Sequence, residues 1–168
     1  MKSRKKSSRI LPEQPWQPVP EAEEPFFVDT AAAVWPSTLL TAEDVRNFAA
    51  GTHYNLYRKF GSHPVTYHGS RGIHFCVWAP NATSVSVIGH FNSWNTCAHE
   101  LYLRWDKSGI WEGFIPHLGL GEAYKYHIVG YAGRTLDKGD PFAHYWEKRP
   151  NTASITWHLE YEWEDASW

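Results

Sequence analysis

Apolar and polar positions alternate over several short runs in the middle of the chain. Ile73, Phe75, Val77 and Ala79 share one face at period two, and Pro80-Asn81 stops that run. Thr83–Ile88 resumes with Val85 and Val87 on one side and Ser84 and Ser86 on the other. The turn residues Asp106-Lys107-Ser108-Gly109 precede a third run, Ile110–Ile115. Further on, Tyr124, Tyr126 and Ile128 alternate with Lys125, His127 and Val129. Arg134–Asp137 reads as a short strand, and Ser154–His158 as a last one with Ile155 and Trp157 on one side. Runs of this length between turn signals predict antiparallel hairpins, and so an all-β, immunoglobulin-like sandwich over residues 65–158.

The flanks follow other rules. Thr41–Ala50 predicts a short helix: Thr41 is a suitable N-cap, Glu43 and Asp44 lie in its first turn, and Gly51 follows its end. Tyr54, Tyr57 and Phe60 come next at helical spacing, interrupted by glycines and Pro64. Residues 39–64 therefore predict a helix and strap lying across the sandwich. The strap has a task. His74, Cys76 and Trp78 occupy the outer side of the first strand, and an outer face that is not polar needs a cover. Tyr54, Tyr57 and Phe60 are expected to supply it over Trp78. Residues 1–38, basic at first and then rich in Pro and Glu, are expected to form a disordered, dispensable tail. Phe26, Phe27, Val34 and Trp35 are apolar enough to dock loosely. Residues 159–168 alternate aromatic and acidic side chains and read as the start of a linker toward a further domain.

Composition narrows the function. Ten Trp and nine Tyr in 168 residues supply either a ring-rich core or a sugar-binding surface. A formal charge of −2 argues against a nucleic-acid footprint. No apolar run is long enough for a membrane span, and the basic N-terminus lacks the apolar stretch of a secretory signal. Cys76 falls in a strand and Cys97 in a loop, which predicts two free thiols and a reducing, cytoplasmic setting. No nucleophile elbow, phosphate loop or helical His pair occurs, so neither catalysis by this chain alone nor a metal or organic cofactor is expected.

Binding chemistry concentrates in the loop Gly89–Asn95. Trp94 offers a flat apolar ring between Asn92 and Asn95, and Lys125 points away from the core to add a cationic donor. A pyranose presents the complement, an apolar C–H face with a rim of hydroxyls. Covering about 70 Å² of indole is worth about 1.7 kcal/mol at about 25 cal/mol/Å². Two or three hydrogen bonds of about 1 kcal/mol each raise the total to about 4 kcal/mol, a dissociation constant of about 1 mM. Binding at this level is weak.

The run Phe75–Asn95 (FCVWAPNATSVSVIGHFNSWN) resembles carbohydrate-binding module family 48, the N-terminal sandwich of α-glucan-acting enzymes. Tyr124-Lys125-Tyr126 is similar to that family's Y-K-Y/F strand. Gly51–Pro64 and Asp140–Trp157 resemble the flanks found in bacterial glycogen branching enzymes. The resemblance covers about Leu39 to Trp168. It implies a module that holds α-glucan or positions a catalytic (β/α)₈ barrel, which would be its second partner, without a cofactor. A stand-alone glucan-binding or regulatory adaptor is the alternative. In glucan-binding members the platform consists of a loop Trp, the Lys of the Y-K strand, a second Trp and an Asn near the last strand. Trp94 and Lys125 match the first two. The other two places fall near Arg134–Leu136 and Ala153–Ser154, which hold neither residue.

Overall fold

A computed structural model describes residues 33–159. Most of the expected tail (1–32) and of the expected linker (160–168) lies outside the described residues. Among the described residues nine strands form: β1 Gly61–Tyr67, β2 Ser70–Trp78, β3 Ala82–Gly89, β4 Tyr102–Leu103, β5 Ile110–Pro116, β6 Ala123–Gly130, β7 Thr135–Lys138, β8 Tyr145–Trp146 and β9 Ser154–Ile155. One antiparallel sheet runs β1-β2-β5-β4 and the other β3-β6-β9-β8, with β7 also paired to β6. The predicted all-β sandwich of immunoglobulin-like type is the fold observed. Its core lies between the sheets. Phe75 and Val77 of β2, Val85 and Val87 of β3, Trp111 of β5, and Tyr124 and Tyr126 of β6 are all buried there. All but Trp111 are residues whose period-two alternation marks the inward face. Both cysteines are free, Cys76 buried and Cys97 exposed.

The helix α1, Ala42–Ala49, begins at the expected cap. Thr41 Oγ1 accepts the Asp44 amide at 3.1 Å, and the Thr41 amide donates to Asp44 Oδ2 at 2.8 Å. This reciprocal pair satisfies donors that a helix start leaves orphaned.

The expected tail boundary at residue 38 is corrected by the structure. Val34, Trp35, Ser37 and Thr38 are buried. Trp35 exchanges both backbone hydrogen bonds with Phe114 of β5, at 2.8 and 2.9 Å. Gly113 makes this approach possible, because a Cβ there would stand 2.5 Å from Val34 Cγ1. The ordered unit therefore begins by Val34, and a deletion to residue 38 removes part of the core.

The outer face of the first sheet is covered over His74 and Cys76, though not by the tyrosines, while Trp78 stays 54% exposed. Cys76 and Ile110 pack under Leu40 and Phe60, with Val45, Phe48 and Leu56 around them. Phe48 meets the Trp78 ring edge-on at 5.7 Å. Tyr57 remains 47% exposed and Tyr54 more so. Only Leu56–Arg58 forms a 3-10 turn before β1, so the helical spacing that would align Tyr54, Tyr57 and Phe60 is not maintained. Truncating Tyr57 to alanine should accordingly shift stability by less than about 1 kcal/mol. Urea denaturation checks this, and a loss several times larger would show that Tyr57 does seal the sheet.

Candidate functional site

β3 ends at Gly89, opposite Tyr124 of β6. A side chain at Gly89 would collide with the Ala123 carbonyl and the Phe91 ring, so the chain turns tightly here. His90–Asn92 makes one 3-10 turn, and Ser93 and Trp94 then adopt left-handed backbone at φ 53° and 59°. Such conformations cost energy in residues with a Cβ and need surrounding bonds to hold them. Asn92 supplies those bonds. Its Oδ1 accepts the Gly89 amide at 2.9 Å, and its Nδ2 donates to the Val87 carbonyl at 2.9 Å and sits 2.9 Å from His99 Nδ1. Asn95 Oδ1 accepts the Cys97 amide at 2.9 Å. Both side chains are engaged within the loop. Trp94 is left half-buried, with His90 edge-on to its ring at 5.3 Å.

Trp94 lines a groove with Lys125, whose strand places it on the outer face of the second sheet. The opposite wall is the β8–β9 loop, through Glu147, Asn151 and Thr152. Lys125 Nζ donates to Thr152 Oγ1 at 2.8 Å. Glu147 Oε1 accepts from Asn151 Nδ2 at 3.3 Å, and its Oε2 accepts the Ala153 amide at 3.0 Å. The Asn151 amide is thereby oriented, and its Oδ1 remains an acceptor. Of the four residues singled out in the sequence, the groove brings together Trp94 and Lys125, whereas Asn92 and Asn95 do not line it. Asn151 was missed. It lies two residues before Ala153, and only the closure of the β8–β9 loop over Lys125 reveals it.

The groove supplies a ring face, an ammonium and an oriented amide, with Glu147 its only carboxylate. A pair of carboxylates flanking a bond, as glycoside hydrolysis needs, is not present there. Among the described residues no cluster of three or more His, Cys, Asp or Glu could hold a metal ion, and no helix is long and apolar enough to cross a membrane. Asp140, between Gly139 and Pro141, is fully buried. It accepts the hydroxyls of Tyr124 and Tyr126 at 2.6 and 3.0 Å.

Several known proteins are similar to this chain in sequence. The 1,4-alpha-glucan branching enzyme GlgB of Thermosynechococcus vestitus is 48% identical over 133 residues, covering 79% of this chain and 17% of that enzyme. The enzyme of the same name from Desulfitobacterium hafniense is 47% identical over 133 residues, covering 79% of this chain and 21% of the enzyme. The chain thus spans about a fifth or less of the length of these relatives. Klebsiella pneumoniae pullulanase, solved in complex with maltotriose, aligns at 24% identity over 58% of this chain and 9% of its own, with a TM-score of 0.46. The model of carbohydrate-binding module 48, the isoamylase N-terminal domain, matches residues 59–143, just over half of the chain, and the chain belongs to that family.

Proposed function

We propose that the Trp94 groove binds an α-glucan and that the chain acts as the glucan-holding module of a glycogen branching enzyme. The observation that carries this reading is the convergence of Trp94, Lys125 and Asn151 on one outer face. The indole covers the apolar side of a glucose ring, while Lys125 and Asn151 meet its hydroxyls. In the whole enzyme a separate catalytic barrel cleaves an α-1,4 glucan and transfers the piece to a 6-hydroxyl. This module keeps the polymer near it. The identity to branching enzymes across 79% of the chain favours this over a free-standing adaptor.

Titrating the chain with maltoheptaose by calorimetry tests the site. Loss of the Trp94 ring should weaken binding by more than tenfold, the equivalent of about 1.7 kcal/mol. Retention within about twofold in the Trp94→Ala protein would place the sugar elsewhere. Asn95→Ala, which changes the loop but not the groove lining, should keep most of the affinity.

A further inference from the structure

Two exposed rings continue the face on which the Trp94 groove lies. Lys125 and Ala123 are alternate residues of β6 and share its outer side. Ala123 is opposite Ile155 of β9, and Ile155 is opposite Tyr145 of β8. Opposed residues in antiparallel strands face the same way, so Tyr145 lies on the outer side with Lys125. Past β9 the chain stays extended, as the Thr156 amide donates to the Glu122 carbonyl at 2.9 Å. Thr156 is buried, and the alternation returns Trp157 to the outer side. Tyr145 and Trp157 make the diagonal contact this predicts, with ring centroids 5.2 Å apart and planes tilted by 31°. They remain 49% and 43% exposed.

The groove wall follows β8 directly in the chain. Glu147 lines the groove, and Tyr145 is two residues before it. Counting two strands at about 4.8 Å and two residues at about 3.3 Å puts Tyr145 about 12 Å from Lys125. A few hexose units cover that distance. Two exposed rings tilted by 31° form a shallow shelf rather than a pocket, suited to the flat side of a sugar. We infer that Tyr145 and Trp157 form a second station for the same α-glucan, engaged only by chains long enough to leave the Trp94 groove and cross β9. This inference rests on the reading of the Trp94 groove as a glucan site. It makes the module select long linear segments by adding a second weak contact to the first, a gain that needs no tighter grip at either.

The test compares maltose with maltoheptaose on the 168-residue chain, by calorimetry or tryptophan fluorescence. Tyr145→Ala with Trp157→Ala should weaken maltoheptaose binding by about tenfold while maltose binding stays within about twofold. Tyr145→Phe with Trp157→Phe retains both rings and should keep the preference for the longer sugar, which separates a lost platform from a damaged fold. If Trp94→Ala abolishes binding but the double alanine variant treats both sugars as the parent does, the second station is wrong and the groove stands. An equal loss for both sugars likewise overturns the second station. If the parent chain binds neither sugar, the glucan reading of the groove fails and this inference falls with it.

Discussion

Replacing Glu112 with alanine is expected to destabilise the sandwich by about 3 kcal/mol or more, although Glu112 touches no part of the groove. Glu112 is fully buried on the outer side of β5, opposite Cys76. Its Oε1 accepts a hydrogen bond from Arg104 Nη1, and Arg104 is itself almost fully buried. The same nitrogen donates to Thr38 Oγ1, and Arg104 Nε reaches Asp106 at 2.9 Å. His74 Nε2 stands 3.6 Å from Glu112 Oε2, beyond hydrogen-bond reach. The segment 34–40 closes over this cluster, so water cannot replace a lost partner. Without Glu112 the guanidinium retains only Asp106 and Thr38, and an undercompensated buried charge is the costly outcome. Removing both charges together, Arg104→Met with Glu112→Leu, should recover much of the loss, since apolar pairs often replace buried ion pairs without penalty. Chemical denaturation of the two proteins decides the matter. A single variant within about 1 kcal/mol of the parent, or a double variant worse than the single, would show that the buried ion pair does not stabilise the sandwich.

How far the sequence revealed this molecule depends on whether a property is local. The inward sets Ile73–Val77 and Tyr124–Tyr126 were legible because strand geometry alternates sides whatever the partner strand is. The Thr41–Asp44 cap was legible for the same reason, its two residues being three apart. Where Val34 and Trp35 dock was not, because it depends on the missing Cβ of Gly113 about eighty residues away. Tyr57 was misread because helical spacing was extended into a segment that makes only one 3-10 turn, leaving Phe60 to turn inward alone. In the groove, Trp94 and Lys125 announced themselves by residue type. Asn92 and Asn95 did so too, but amides near a tight turn are drawn first to the turn's own backbone. Asn151 carries no local sign at all. Its position is set by the hydrogen bond to Glu147 and by how the loop before β9 returns across β6.

Asp140 shows the same limit and leads to the second large effect. A carboxylate beside a glycine and a proline reads as a solvated turn, yet this one is buried with three donors directed at it. The hydroxyls of Tyr124 and Tyr126 donate to Oδ2, and the Phe142 amide donates to Oδ1 at 2.8 Å. Both tyrosine rings are fully buried, so neither hydroxyl can turn to water. Asp140→Ala strands the Tyr126 hydroxyl and the Phe142 amide and leaves the Tyr124 hydroxyl only Ser62 beside it; at about 1–3 kcal/mol per unpaired donor the loss should reach about 3 kcal/mol even after partial relaxation. Burial raises the Asp140 carboxyl above its ordinary 3.8, with the bonds from Tyr124, Phe142 and Tyr126 pulling the other way. A carboxyl raised in the folded state holds its proton more tightly there than in the unfolded chain. The stability this contributes is complete below pH 3.8 and is lost as the pH rises through the folded value. Asp140→Asn does not titrate, so its stability relative to the parent should improve as the pH is taken from about 3 to about 7. Thermal unfolding of both proteins across that range gives the difference directly. A difference that stays flat, or moves in the parent's favour, would mean that the hydrogen bonds outweigh burial and hold the carboxyl at or below its ordinary value. An alanine variant that loses less than about 1 kcal/mol would mean that the tyrosine hydroxyls have other acceptors within reach.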